Sequence, residues 1–189
     1  MADPIPVLHT RRLTMRPFEE GDREPFAAIN ADPEVMEHFL APLSRDESDR
    51  FLDRINAGFA AHGFGLWALV SSQMGQLLGF TGLSVPRFPA HFMPAVEIGW
   101  RLRKSAWGQG LATEAARAAL DFGFGPGGLE GVVSFTNSDN ARSLAVMRKL
   151  GMTHDPRDDF QHPLVPPGHR LCPHVLFRIS RARWMARHG

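Results

Sequence analysis

The stretch Arg103-Lys-Ser-Ala-Trp-Gly-Gln-Gly-Leu-Ala-Thr-Glu114 decides how the chain is read. Before it lies Ala95-Val-Glu-Ile-Gly-Trp-Arg-Leu102. There Val96, Ile98, Trp100 and Leu102 share one face and Glu97, Gly99 and Arg101 the other, which is the period of a strand. After it, Leu111, Ala115, Ala119 and Phe122 form one stripe with Thr113, Glu114, Arg117 and Asp121 opposite, an amphipathic helix from about Gly110 to Phe124. A strand therefore passes through a glycine turn directly into a helix. The first N–H groups of such a helix lack backbone acceptors and lie at the positive end of its dipole, so they suit a phosphate. Gly108 and Gly110 let a bulky anion approach the main chain without Cβ interference. On glycine spacing alone, a tight turn with no ligand accounts for the segment equally well.

Working outward, Leu13 and Met15 alternate with polar neighbours as a short strand. Asp22 is positioned to cap a helix through Ala28 that Asn30-Ala-Asp-Pro33 ends. Ser44 and Glu47 form a capping box ahead of a helix carrying Phe51, Leu52, Ile55 and Phe59 and ending near Gly63. Strands follow at 66–71 and 76–84 around a turn at Met74-Gly75, then a proline-bounded loop at 86–94. Beyond the central helix come a strand at 132–136, a helix at 140–150 stopped by Gly151, and a last strand at 175–179. Hairpin-sized turns between the early strands imply an α/β (α+β) fold. Its sheet is mixed and mostly antiparallel, with helices on both faces.

The chain has 189 residues, 43% hydrophobic and 22% charged, the composition of one soluble globular domain. We expect a single domain over 1–189 with its core at about 8–180. A net charge of +1 argues against a protein that lives on nucleic-acid phosphates. No run approaches the roughly 18 apolar residues of a membrane helix, and no signal-peptide pattern opens the chain. The lone Cys172 excludes an internal disulfide framework and fits a reducing cytoplasm. Tyrosine is absent.

Trp107-Gly-Gln-Gly110-Leu-Ala112 resembles the coenzyme-A loop of the GNAT acetyltransferases, usually written Q/R-x-x-G-x-G/A. Three segments agree with it. Val96–Leu102 is similar to the family's central strand, where an acid commonly points into the acceptor cleft. Thr113-Glu-Ala-Ala116 matches the helix opening of the branch that acetylates ribosomal-protein N-termini and its relatives. Asn140-Ala-Arg-Ser143 through Lys149-Leu-Gly-Met152 resembles that branch's N-x-x-S…K-L-G-F helix. The likeness runs from about residue 8 to 179. It departs from the pattern at Trp107, where many members carry Gln or Arg, and at Met147, where many place a tyrosine acid.

The resemblance implies direct acetyl transfer from acetyl-CoA to an amine in a ternary complex, without metal. The sheet would splay between the strands at 95–102 and 132–136. The cofactor arm would bond to Leu102 and Arg103, and Trp107 belongs to the same loop. The pyrophosphate would sit on the N–H groups of Gly108, Gln109, Gly110, Leu111, Ala112 and Thr113, and Asn140 would hydrogen-bond the arm or simply cap its helix. An amide near Ile98 or Gly99 would polarise the thioester carbonyl.

The amine must be neutral to attack. At pH 7 a lysine-like amine is neutral about once in 2,500 molecules and an α-amine about once in seven, deficits of about 4.6 and 1.1 kcal/mol. A base is therefore needed. Glu97 is the candidate, and an ion pair with Arg101 on the same strand face is the competing explanation of it. Ser143 is the candidate acid for the leaving thiolate, and backbone capping explains it as well.

Other features carry less. His169-x-x-Cys172-x-His174 has no second ligand pair at structural-zinc spacing, so no metal is expected. Asp158 and Asp159 are read as solvated turn charges before an amine-attracting pair. Phe39, Phe64, Trp67 and Phe88 are read as core before pocket. The basic end 178–188 reads as a solvated terminal segment, with oligomer contact or ribosomal-RNA binding a weaker reading; a homodimer is plausible for the family, with no residue pattern to support it here. An acyl-CoA sensor without turnover and a transferase for small-molecule amines are the two alternatives to a protein N-terminal acetyltransferase.

Overall fold

The computed structural model describes residues 6–188. Its described strands are β1 Leu8–His9, β2 Leu13–Arg16, β3 Leu66–Ser71, β4 Leu77–Ser84, β5 Glu97–Leu102, β6 Gly131–Asn137, β7 Thr153–His154, β8 Phe160–Gln161 and β9 Pro173–Ser180. They form one sheet in the order β1-β2-β3-β4-β5-β6-β9-β7, with β8 also on β9. Every pairing is antiparallel except β5 with β6, which α3 (Leu111–Phe124) connects as a crossover. The sheet is thus mixed and mostly antiparallel, as the turn lengths require.

Helices α1 (Arg23–Ala31) and α2 (Arg45–His62) cover one face. Their Phe26 and Phe51 rings pack on Phe80 of β4, with centroids 6.1 and 5.7 Å away. The other face receives α3, whose Gly123 would drive a Cβ to within 2.9 Å of Leu83 of β4. The α2 entry is the expected capping box: the Ser44 hydroxyl accepts the Glu47 N–H, and the Glu47 carboxylate accepts the Ser44 N–H. The α1 entry differs. Asp22 makes no capping bond; its carboxylate accepts from Arg16 at 2.6 and 3.0 Å and from the Glu19 N–H at 2.8 Å. An ion pair with a strand arginine outcompetes the cap.

The basic terminus keeps most of its residues exposed, as expected, but it is docked on the domain through one side chain. It forms α5 (Arg181–His188), with Trp184 1% exposed and its indole N–H donating to Asp121 of α3 at 2.8 Å. Its sequence shows four arginines and hides the single tryptophan that anchors it. Helix α4 (Ala141–Lys149) sits beyond β6 and ends near Gly151, whose φ of +79° suits glycine.

Replacing Trp184 by Ala should lower the unfolding free energy by about 3–5 kcal/mol, the range for deleting a buried large aromatic. Trp184→Phe keeps the bulk and loses one hydrogen bond, so it should cost nearer 1 kcal/mol. Urea titration followed by circular dichroism checks both; a terminal segment free in solvent would show neither loss.

Candidate active site

The site begins in the backbone of β5. Arg103 donates its N–H to the Leu78 carbonyl at 2.8 Å. Ladder alternation then turns the main-chain groups of 97, 99, 101 and 103 toward β4 and those of 98, 100 and 102 toward β6. β6 meets that side at one position only, Glu97 opposite Val133, with Val133 donating to the Val96 carbonyl at 2.9 Å. Beyond it the strands part. Side chains fill in: the Ser134 hydroxyl donates to the Ile98 carbonyl at 2.9 Å, and the Trp107 indole to the Leu102 carbonyl at 2.8 Å. The N–H groups of Trp100 and Leu102 face the gap with no strand opposite.

Two expectations change here. Both main-chain groups of Arg103 are spent, its N–H on Leu78 and its carbonyl on the Ala106 N–H, so strand-like bonding to a ligand falls on Trp100 and Leu102. The Gly99 amide faces β4, which removes it as a donor to a carbonyl in the gap.

The turn after β5 presents a run of free main-chain donors. Among the described residues, the six successive N–H groups from Gly108 to Thr113 find no acceptor, and Glu114 makes the first intrahelical bond, to Gly110 at 3.0 Å. Gly110 is the N-cap of α3 and offers no side chain, so the positive end of the helix stays open. Gly108 and Gly110 have φ of +72° and +77°, and a Cβ on either would meet nothing closer than Arg12 Nη2 at 3.7 Å. The turn thus needs glycine for its backbone angles and not for room. Arg12 braces it from β2's approach, donating to the Gln109 carbonyl at 2.9 Å and pairing with Glu114 at 2.7 Å. Trp107 lies under the Arg142 guanidinium at 4.1 Å.

From this turn a cleft of about 920 Å³ runs along β5, lined among others by Glu97, Trp100, Arg101, Thr113, Asn140 and Ser143. Glu97 is half-buried, its carboxylate open to the cleft and enclosed by protein elsewhere. Oε1 lies 3.8 Å from where a Cβ on Gly99 would be, so that glycine keeps the space beside the carboxylate clear. Desolvation pushes Glu97 up to about 8. The ion pair with Arg101 does not form. Arg101 turns instead to Asn30, whose Oδ1 accepts from Nη1 at 2.6 Å, and lies 4.2 Å from the Phe39 ring centroid.

Asn140 caps α4, its Oδ1 accepting the Ser143 N–H at 3.1 Å and its amide donating to Thr136 Oγ1 at 3.0 Å. Ser143 Oγ accepts the Trp100 indole N–H at 3.3 Å, which leaves its own proton free to point into the cleft. Met147 lines the cleft with 1% exposure and has no proton to give.

The remaining expectations divide. Phe64 and Trp67 are core, while Phe39 is 45% exposed at the cleft. Phe88 belongs to a second aromatic cluster with Phe92, Phe135 and Phe160. Asp158 forms an ion pair with Arg178 at 2.7 Å, and Asp159 lies within hydrogen-bond distance of His154 Nε2 at 2.8 Å, so both carboxylates have local partners. Among the described residues no three His, Cys, Asp or Glu side chains converge as metal ligands would, and no helix is long and apolar enough to cross a membrane. The role of Arg101 was missed from the sequence. Only its place on Glu97's strand face hinted at it, and that suggested the wrong partner.

Residues 12–153 match the family described as the acetyltransferase (GNAT) domain. A relative from Aspergillus fumigatus, FsC-acetyl coenzyme A-N(2)-transacetylase, is 33% identical over 187 residues, covering 95% of this chain and 78% of its own. An acetyltransferase structure from Agrobacterium tumefaciens superposes with a TM-score of 0.76 at 27% identity, covering 95% of this chain and 97% of that one. The spermidine N-acetyltransferase of Vibrio cholerae, solved with CoA and spermine, shares the fold at a TM-score of 0.73 and 17% identity, covering 93% and 99%.

Burial of Glu97 carries a stability signature. Between the ordinary glutamate value of 4.5 and about 8, the folded protein holds a proton that the unfolded chain has released. Stability therefore falls as pH rises through that window. Glu97→Gln should melt higher than the parent by a margin that widens from pH 5 to pH 8.5. A margin independent of pH, measured by thermal melts, would show that the carboxyl titrates normally.

Proposed function

The chain belongs to the GNAT acetyltransferase family and is an N-acetyltransferase, and from that premise we propose that it moves an acetyl group from acetyl-CoA directly to a primary amine with Glu97 as general base. The observation that carries this is the continuity of one cleft from six unbonded amides, suited to a pyrophosphate, to a carboxylate that no protein group neutralises. The donor's phosphates would take the N–H groups of 108–113. The arm would take the Trp100 and Leu102 amides as a missing strand would. Trp107, packed under Arg142, walls the turn.

A base held up to about 8 is half ionised near that pH, so it accepts a proton from an ammonium far better than a carboxylate at its usual value. Desolvation that raises the base also favours the neutral form of the amine beside it. The Ser143 hydroxyl, held by the Trp100 indole, is the proton donor within reach of a departing sulfur. Asn140 acts here through its cap, fixing the turn on which Ser143 stands.

The acceptor is a primary amine. The ribosomal-protein-acetylating branch is favoured by the Asn140–Met152 pattern. The Aspergillus relative is named as an acetyl coenzyme A N(2)-transacetylase acting with FsC, which supports acetyl transfer from acetyl-CoA to a nitrogen. The buried free Cys172 fits a cytoplasmic setting.

Calorimetric titration with acetyl-CoA and with CoA should give micromolar binding, which Gly110→Trp, strained at a φ of +77°, should abolish. No binding by the parent protein would overturn the cofactor assignment. In steady-state assays with an amine acceptor, kcat/KM should rise with pH through about 8, and Glu97→Gln should lose that limb and about 10²–10⁴-fold in rate. Unchanged turnover in Glu97→Gln would remove Glu97 as the base.

A further inference from the structure

Arg101 presents a cation that the protein leaves unmatched. It is 9% exposed on the same β5 face as Glu97, four residues on, which puts their Cα atoms about 13 Å apart. No carboxylate touches it. Nη1 donates to Asn30 Oδ1 at 2.6 Å, Nε is enclosed without an acceptor, and Nη2 has no protein partner. Phe39, Phe51 and Phe80 surround the guanidinium with ring centroids 4.2, 5.6 and 5.4 Å away. They cover it without offering hydrogen-bond acceptors to its edge. The other acids on the cleft are engaged or distant: Glu47 is held by the Ser44 cap, and Glu97 makes no contact with Arg101. His38, also on the wall, is held below its ordinary value by burial and adds no negative charge.

A buried guanidinium without an anion is costly, and such groups are normally paired. Nη2 is the donor of Arg101 that is neither bonded nor fully enclosed, and it can give a carboxylate a charge-assisted hydrogen bond. We propose that the acceptor is an amine that also carries a carboxylate, bound at Nη2 of Arg101 while its amine reaches Glu97. This rests on the acetyl-transfer reading for the amine end; the anion site itself stands on the geometry of Arg101. It separates this cleft from one made for a polycation such as spermine, which an unneutralised guanidinium would repel.

The test pairs acceptors that differ only in the carboxylate. 6-Aminohexanoate should be acetylated with kcat/KM at least tenfold above hexylamine. In calorimetry, which needs no turnover, 6-acetamidohexanoate should bind at least tenfold tighter than N-hexylacetamide. Arg101→Met should reduce both ratios by tenfold or more. Asn30→Asp leaves the guanidinium in place and supplies a carboxylate from within, so it should reduce them too; its oxygens can still accept from Ser48, which now receives the Asn30 amide at 2.8 Å. Retained CoA binding serves as the fold control, and Asn30→Asp decides if Arg101→Met does not fold. Equal affinities in the parent protein, or ratios unchanged in the folded variants, would overturn the proposal. Arg101-dependent binding of 6-acetamidohexanoate without any acetyl transfer would uphold the anion site and fell the catalytic reading instead.

Discussion

The structure turns on one backbone constraint: β5 and β6 run parallel and pair at a single position, Glu97 with Val133. Continuous pairing would have satisfied the outward N–H groups of β5 and closed the sheet. Parting instead leaves the amides of Trp100 and Leu102 without a strand, and an edge inside a sheet is a template for another chain. The protein partly occupies that edge with side chains, Ser134 on Ile98 and Trp107 on Leu102. Both take carbonyl oxygens, so the donors stay free. An extended ligand rich in acceptors therefore has a place that a second peptide strand does not.

That parting also sets α3. A parallel neighbour requires a crossover, and the crossover helix must start where β5 ends. Its N-terminus consequently opens at the mouth of the gap. The same event that splits the sheet puts six unbonded N–H groups at one end of the cleft and Glu97 in the single shared pair. The free amides, the strand edge and the carboxylate are one topological consequence and not three separate acquisitions.

Much of this was legible because period and punctuation are local. The β5 alternation, the α3 stripe, the Ser44–Glu47 box and the Gly63 and Gly151 stops each depend on residues within a few positions of one another. What escaped depends on contacts across the chain. Asp22 obeys Arg16 and not its own helix, Trp184 finds Asp121 of α3, and Arg101 finds Asn30 of α1, 71 positions away. Residue type gave no warning, since an acid before a helix, an arginine-rich terminus and an i,i+4 Glu–Arg pair all have a commoner local reading. The backbone assignment at Arg103 failed for a related reason: which side of a strand bonds to which neighbour follows from register, and register is a tertiary fact.

The absent tyrosine fits the energetics of the proposed transfer. A leaving thiol of pKa about 8.5 lies only about 1.5 units above pH 7, so releasing it as thiolate costs about 2 kcal/mol. Neutralising a lysine-like amine costs about 4.6 kcal/mol at the same pH. The step that needs protein help most is therefore proton removal, and there the chain holds a desolvated carboxylate in a cleft kept open by Gly99. At the departing sulfur a weak donor suffices, and the Ser143 hydroxyl with its oxygen held by Trp100 is one. Met147 can then contribute packing to the cleft wall without a proton.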